Sequence, residues 1–241
     1  MWVASWRGAP PRWNEAIHDA RIGSWLMTRF KVCCIASVDE AALAIAHGAA
    51  ALGLVSAMPS GPGVIADDRI REIASWAPPA VRTFLLTART EGEAIAAQVR
   101  AAGTTTVQLV DAVPIETYPV LRARIPSVRL VQVIHVLGSA SVDEALAVAP
   151  HVDELLLDSG NPGLVVKELG GTGRVHDWST SRQIVEQVGV PVWLAGGLHP
   201  GNVRRAIDAV GPHGLDVCSG LRTGGTLDPE RIEAFARAIG G

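Results

Sequence analysis

The sequence lacks a long uninterrupted apolar run. Although 48% of its 241 residues are hydrophobic, no stretch reaches the roughly 18 residues that a membrane-spanning helix needs. It also lacks an excess of positive charge, because the formal net charge is -3 and Lys and Arg are scattered. Nucleic-acid phosphates are bound by basic patches. We therefore expect a protein that binds neither membranes nor nucleic acid.

Cysteine is also scarce. Cys33, Cys34 and Cys218 are too few and badly placed for a disulfide framework, since adjacent residues in a strand point to opposite faces. This usage indicates a reducing, cytoplasmic environment. The seven histidines form no HxH, HxxxH or Cys/His pattern with ligand spacing, so the sequence predicts no metal and no other cofactor.

The first 26 residues differ in composition from the rest. They hold four of the seven tryptophans, Trp2, Trp6, Trp13 and Trp25, but no apolar segment typical of a secretory signal. Met27 directly precedes the first apolar strand pattern. We expect an N-terminal extension over residues 1–26, flexible or helical, followed by one catalytic domain over residues 27–241.

Strand-like and helix-like patterns alternate eight times after Met27. The predicted strands are Phe30–Ile35, Ala51–Val55, Val81–Leu86, Val107–Leu109, Leu130–Val136, Glu154–Asp158, Val192–Ala195 and Gly214–Cys218. The predicted helices are Val38–His47, Asp67–Trp76, Glu91–Ala102, Pro114–Ile125, Ser141–Ala149, Ser179–Val188, Gly201–Val210 and Asp228–Ile239. This count in about 215 residues predicts an α/β fold, a single (β/α)8 TIM barrel. An open doubly wound sheet is the alternative, but its GxGxxG fingerprint is absent after the first strand.

Reactive groups of such a barrel gather where strands end. Asp158 ends the sixth predicted strand and Cys33 lies on the first. Glycine turns that suit a phosphate follow three of the predicted strands. They contain Gly171, Thr172 and Gly173 after strand six, Gly196 and Gly197 after strand seven, and Ser219 and Gly220 after strand eight. Taken singly, Cys33 is also typical of a small buried apolar residue, Asp158 of a loop cap, and the glycines of plain turns. Their convergence favours a phosphate-binding active site.

Several motifs resemble the phosphoribosylanthranilate isomerase family. Lys31–Ala36 is similar to K-[IV]-C-G-[IL]-T, and Leu156–Ser159 with Gly170–Gly173 and His176–Trp178 is similar to L-L-D-[ST] with G-G-[TS]-G-x-x-F-D-W. Ala195–Val203 resembles A-G-G-L-x-P-x-N-V, and Asp216–Arg222 resembles D-V-S-S-G-V-E.

The resemblance implies an Amadori rearrangement of N-(5-phosphoribosyl)anthranilate in tryptophan biosynthesis. It implies that Asp158 is the general acid for the ring oxygen and that Cys33 is the general base at C2′. The expected partner is a small phosphosugar substrate, and the expected assembly is a monomer or a homodimer.

The substrate's amine part has weaker support. In the family, the arginine of a K-S-x-R-Y segment is expected to bind the anthranilate carboxylate. The corresponding stretch here, Met58–Val64, contains no arginine. The alternative cations are Arg69, Arg82 and Arg89. Two other hypotheses therefore stay open: a paralogous isomerase acting on a different phosphoribosylamine or phosphosugar, and a non-catalytic barrel that binds a phospho-ligand.

Overall fold

The computed structural model describes residues 28–161, 163–164, 169–170, 173 and 175–240. The predicted extension over residues 1–26 lies outside this part of the chain. Eight parallel strands form a closed barrel in sequence order, and the eighth strand pairs with the first to complete it. The strands are β1 (Arg29–Val32), β2 (Ala51–Val55), β3 (Arg82–Thr87), β4 (Thr106–Leu109), β5 (Arg129–His135), β6 (Glu154–Asp158), β7 (Val192–Leu194) and β8 (Gly214–Val217).

A helix follows each barrel strand, which confirms the predicted (β/α)8 fold. The helices are α1 (Val38–Ala46), α2 (Asp67–Trp76), α3 (Gly92–Ala102), α4 (Thr117–Arg124), α5 (Ala140–Val148), α6 (Trp178–Gln187), α7 (Val203–Val210) and α8 (Pro229–Gly240). A two-stranded hairpin, β9 (Arg222–Thr223) and β10 (Thr226–Leu227), precedes α8. None of the helices in the described ranges is long and apolar enough to cross a membrane.

The first strand is shorter than predicted. It ends at Val32 rather than Ile35, because Cys34 adopts a left-handed backbone with φ of 62° that cannot continue a strand. The loop that follows leads to Ser37, whose hydroxyl caps α1 by accepting from the backbone N–H of Glu40 at 3.2 Å. The cap fixes the start of α1 close to the end of β1.

Two hydrophobic clusters divide the interior along the strand faces. Leu130 and Ile134 of β5 belong to the larger cluster, which includes the buried faces of the surrounding helices. Val131 and Val133 of the same strand belong to the smaller cluster inside the barrel. This alternation is the period of two that a strand buried on both faces requires.

A charged layer closes the barrel at the N-terminal ends of the strands. Glu154 accepts two hydrogen bonds from Arg82, at 2.9 and 3.0 Å, and one from the Trp193 indole at 2.7 Å. Arg129 donates to the same carboxylate at 3.1 Å. Because this end is filled, ligands have access to the barrel from the C-terminal ends of the strands.

Candidate active site

A pocket lies at the C-terminal ends of the barrel strands. It encloses about 660 Å³ including its open mouth. Its described lining residues include Cys33, Asp158, Gly173, Gly196, Gly197 and Ser219. The structure therefore brings six of the nine predicted site residues to one cavity, while Gly171 and Thr172 lie outside the described residues.

Asp158 is the last residue of β6 and is buried in the pocket wall, with 7% of its surface exposed. Burial raises the pKa of its carboxyl group, and the nearby charge of Asp216 acts in the same direction. A raised pKa extends the pH range over which the carboxyl group is protonated. The strand end thus presents a carboxylic acid that can donate a proton.

Cys33 lies just beyond the end of β1, and its backbone N–H donates to the Val217 carbonyl at 2.8 Å. Gly53 on the neighbouring strand leaves space for the thiol, since a Cβ at Gly53 would lie 2.8 Å from the Cys33 sulfur. The thiol is therefore held against the barrel wall in the same pocket as Asp158. Around the barrel, β1 and β6 are separated by β7 and β8, so the two groups can address different parts of one ligand.

A buried polar cluster supports the pocket floor. The Lys31 ammonium group donates to Gln108 at 2.6 Å and to Asp216 at 2.8 Å, and no part of Lys31 is exposed. Burial opposes the charge on Lys31, but its pKa is raised because Asp216 lies so close. Gln108 and Asp216 also line the pocket. The motifs contain Lys31 and Asp216, but they do not predict that the two side chains pair, because the pairing appears only when β8 closes on β1.

Glycines with left-handed backbones shape the pocket between the ends of β6 and β8. Gly196 and Gly197 follow β7 with φ of 84° and 61°, and Gly173 lies near the Ser219 hydroxyl, 3.7 Å from where a Cβ would be. Such turns expose consecutive backbone N–H groups. The arrangement is suited to an anion.

Gly220 follows Ser219 in the turn after β8, as predicted. It is absent from the described pocket lining, and a Cβ on it would overlap the carbonyl oxygen of Leu198. The lack of a side chain lets the turn after β8 approach the loop after β7. Gly220 therefore allows the close packing of these two loops, and its role in phosphate binding stays a prediction.

Asn202 holds the loop after β7 in place, a role that was not predicted from the sequence. Its side chain donates to the Gly197 carbonyl at 2.9 Å and accepts from the His199 N–H at 2.8 Å.

His176 stands where the family motif has phenylalanine. Its Nε2 contacts the Ser181 hydroxyl at 2.7 Å. Burial lowers the pKa of His176 to about 4, so it is neutral at physiological pH.

Arg222 holds the segment that carries Cys33. One of its terminal nitrogens donates to the carbonyl of Cys34 at 2.6 Å and to that of Cys33 at 3.3 Å. The guanidinium also pairs with Glu40 at 2.8 Å, and Glu40 in turn accepts from the N–H of Leu227 at 3.1 Å. The replacement of the motif's glutamate by Arg222 is visible in the sequence, but its partners are not.

Two of the three cysteines lie side by side. The sulfur atoms of Cys34 and Cys218 are 2.8 Å apart, and both are free thiols. Both line the pocket next to Cys33. Barrel closure between β1 and β8 brings them together across 184 positions of sequence.

The remaining wall contains Met58, Ser60, Gly61 and Pro62 from the loop after β2. None of the described lining residues is Lys, Arg or His. The three alternative cations lie elsewhere: Arg82 binds Glu154 at the closed end of the barrel, Arg69 pairs with Glu72 on the surface, and Arg89 lines a separate hollow beside α3. None of these three arginines therefore takes the place of the missing arginine in this pocket.

A (β/α)8 barrel with a buried carboxyl group, a thiol and glycine turns around one pocket at the C-terminal ends of its strands has the arrangement typical of barrel enzymes. Comparison with known proteins identifies the family. A family model described as N-(5'phosphoribosyl)anthranilate (PRA) isomerase matches residues 30–238.

Relatives and solved structures agree with this match. The chain is 36% identical to N-(5'-phosphoribosyl)anthranilate isomerase 2 of Methanosarcina mazei over 209 residues, which are 86% of this chain and 92% of the relative. It is 36% identical to the Haloferax volcanii isomerase over 214 residues, 88% and 93% of the two chains. The crystal structure of the Thermotoga maritima isomerase has a TM-score of 0.77 at 29% identity, covering 89% of this chain and 99% of that one.

The chain belongs to the N-(5'-phosphoribosyl)anthranilate isomerase family. This confirms the resemblance drawn from the motifs and the prediction of an isomerase. Another similar structure, with a TM-score of 0.74 and 27% identity over 89% of this chain and 99% of its own, is an isomerase in complex with reduced 1-(o-carboxyphenylamino)-1-deoxyribulose 5-phosphate.

Proposed function

We propose that this chain isomerises N-(5'-phosphoribosyl)anthranilate in tryptophan biosynthesis, with Asp158 as general acid and Cys33 as general base. The observation that carries the proposal is that these two groups, from separate strands, line one pocket together with the glycine turns after β6 and β7. Membership of the isomerase family supports it.

The reaction follows from the chemistry of the two groups. Asp158 donates its proton to the furanose ring oxygen, the bond from C1′ to that oxygen breaks, and the amine nitrogen forms an iminium. Cys33, as general base, removes the C2′ proton, and the electron pair of that C–H bond forms an enolamine. Protonation at C1′ and loss of the hydroxyl proton then give the 1-deoxyribulose 5-phosphate product. No redox partner is required, because hydrogen moves only from C2′ to C1′.

We propose that the 5-phosphate binds at the turns after β6, β7 and β8. Its ligands would be backbone N–H groups and hydroxyls of Gly171, Thr172, Gly173, Gly196, Gly197 and Ser219. Gly220 contributes by letting the last two loops approach each other. Positive φ at Gly173, Gly196 and Gly197 supports this assignment.

A second candidate is an isomerase of the same mechanism that acts on a different phosphoribosylamine. The supporting observation is the absence of Lys, Arg and His from the described pocket lining. An anthranilate carboxylate is best bound by a guanidinium fork. A neutral amine part would suit the surface formed by Met58, Gly61 and Pro62.

Assembly, location and domain limits are further parts of the proposal. We propose a monomer or homodimer; a related structure concerns monomers made from the dimeric isomerase of Thermotoga maritima, with a TM-score of 0.73. We place the enzyme in the cytoplasm, where a base that must remain a free thiol stays reduced. We assign residues 27–241 to the catalytic domain and residues 1–26 to an extension, in agreement with a family match that begins at residue 30.

The test is turnover of phosphoribosylanthranilate, generated in situ and followed by loss of its fluorescence. Cys33→Ala and Asp158→Asn should each lower kcat by about 10²- to 10⁴-fold, the range for a general acid or base. Asp208→Asn, which changes an exposed aspartate on α7, is the matched control and should retain wild-type turnover.

The other hypotheses predict different results. No fluorescence loss, with other phosphoribosylamines still converted in a manner that depends on Cys33 and Asp158, would favour the second candidate. Phosphate-ester binding that survives both substitutions, without turnover of any amine, would contradict an enzyme and favour the non-catalytic binding barrel.

A further inference from the structure

Two thiols from distant parts of the sequence meet in the pocket wall. We propose that Cys34 and Cys218 form a thiol–disulfide exchange site, which reacts with a low-molecular-weight disulfide such as oxidised glutathione and ends as an intramolecular Cys34–Cys218 disulfide. Their sulfur atoms are 2.8 Å apart. Since a disulfide bond is about 2.05 Å long, bond formation needs a shift of less than about 1 Å.

The backbone of Cys34 supports a role for its sulfur. Cys34 is the one residue other than glycine that has a positive φ in the described part of the chain, at 62°. An L residue rarely adopts this conformation unless its surroundings impose it. Arg222 binds its carbonyl at 2.6 Å, and Gly63 packs so closely that a Cβ there would overlap the Cys34 Cβ.

Both thiols are also departures from the family motifs. The motif K-[IV]-C-G-[IL]-T has glycine where this chain has Cys34, and D-V-S-S-G-V-E has serine where it has Cys218. Glycine would adopt the positive φ without strain. The chain therefore keeps a strained residue at a position whose side chain contacts the other substituted position.

The two thiols differ in the direction of their pKa shift and in exposure. The hydrogen bond that they share lowers the pKa of Cys218, an effect that burial opposes and the positive charge of Arg222 reinforces. The same hydrogen bond, together with burial, raises the pKa of Cys34. Cys218 is also the more exposed of the two. It is therefore the thiolate that an incoming disulfide meets first.

The exchange has two balanced steps. The Cys218 thiolate attacks one sulfur of the small disulfide, forming a mixed disulfide and releasing one small thiolate. Cys34 then loses its proton to solvent, and its thiolate attacks the Cys218 sulfur and releases the second small thiolate. The two cysteines are oxidised together by two electrons, and the small disulfide is reduced to two thiols.

The bond would join the segment after Cys33 to the turn before Ser219. Since these neighbours have proposed roles as base and phosphate ligand, we infer that oxidation lowers turnover. The expected loss is at least fivefold in kcat/KM, and dithiothreitol should reverse it.

The experiment incubates the full-length protein with oxidised glutathione, quenches it with acid and maps peptides by mass spectrometry without reduction. The expected result is a peptide pair linked through Cys34 and Cys218, with loss of two titratable thiols per chain. Cys33→Ala should form the same link. Cys34→Gly and Cys218→Ser introduce the residues of the family motifs and should form no such link. The turnover of each variant should be the same before and after incubation with oxidised glutathione.

Two results would overturn the proposal. The first is a stable glutathione adduct or a link at Cys33 in place of the Cys34–Cys218 link. The second is retention of all three thiols in wild-type protein under conditions that oxidise a small dithiol. Oxidised protein that contains the link but has full kcat/KM would contradict the effect on turnover. Circular dichroism of each variant confirms that a missing link does not reflect unfolding.

Discussion

Lys31 and Asp216 are direct neighbours in the pairing of β1 with β8, and their side chains form a buried ion pair of 2.8 Å. The pair lies where the barrel closes, two residues before Cys33 on one strand and three residues before Ser219 on the other. A charge buried here is tolerated only because it is paired and hydrogen-bonded.

Replacing Lys31 alone should therefore destabilise the barrel strongly. Lys31→Met leaves the Asp216 carboxylate without its cation, and we expect a loss of roughly 3–5 kcal/mol in the free energy of unfolding. Urea denaturation measures it. The double variant Lys31→Met with Asp216→Leu removes both charges and should recover most of the loss. A double variant as unstable as the single one would show that volume rather than unpaired charge is the cause.

The raised pKa of Asp158 predicts a pH dependence of activity. The general acid must be protonated, so kcat/KM should contain a limb that falls as pH rises through the pKa of Asp158, above the ordinary value of 3.8. Asp158→Asn should lose this limb as well as most of its turnover. A pH profile of the residual activity that keeps the same falling limb would assign it to another group.

Whether a feature of this site could be predicted depends on the sequence separation of the residues that form it. Local patterns gave β2, β6 and α2 with their exact limits, since apolar runs and helical periodicity are properties of adjacent residues. Asp158 was found for the same reason: its position at a strand end follows from the limits of β6. The motifs likewise predicted Cys33 and the glycine turns.

The sequence could not predict contacts that depend on barrel closure. The pairs Cys34–Cys218 and Glu40–Arg222 join residues more than 180 positions apart, and they meet only when β8 pairs with β1. The early end of β1 has the same origin: the residues from Cys33 to Ile35 are apolar enough for a strand, but tertiary contacts of Cys34 impose a positive φ. Local propensity does not contain that information.

Gly220 offers a test of close loop packing. Gly220→Ala places a methyl group on the Leu198 carbonyl oxygen, so one loop must move. We expect a loss of roughly 1–3 kcal/mol in unfolding free energy, the usual range for overpacking, and weaker binding of inorganic phosphate by calorimetry. Gly189→Ala is the matched control, because a Cβ there meets no atom within 4 Å. Equal effects of the two substitutions would exclude loop contact as the cause.

The Arg222–Glu40 pair should position Cys33 and also set the acid stability of the protein. Burial alone would raise the pKa of Glu40, but the hydrogen bonds from Arg222 lower it overall. Stability from this pair is therefore present above the unfolded pKa of Glu40 and is lost as pH falls through its lower folded pKa. Arg222→Met should cost roughly 2–4 kcal/mol at neutral pH, and the difference from wild type should shrink in acid.

Activity separates the positioning role of Arg222 from plain stability. Arg222→Met frees the carbonyls of Cys33 and Cys34, so kcat should fall more than KM rises, since the phosphate loops stay intact. Arg222→Lys restores the positive charge but not the planar guanidinium group with its several donors, and it should recover part of kcat. Arg182→Met, which removes an exposed pair with Glu186, should cost under about 0.5 kcal/mol and leave kcat unchanged. If Arg222→Met kept full kcat at temperatures where it is folded, the clamp on the Cys33 segment would have no part in catalysis, and its contribution would be to stability alone.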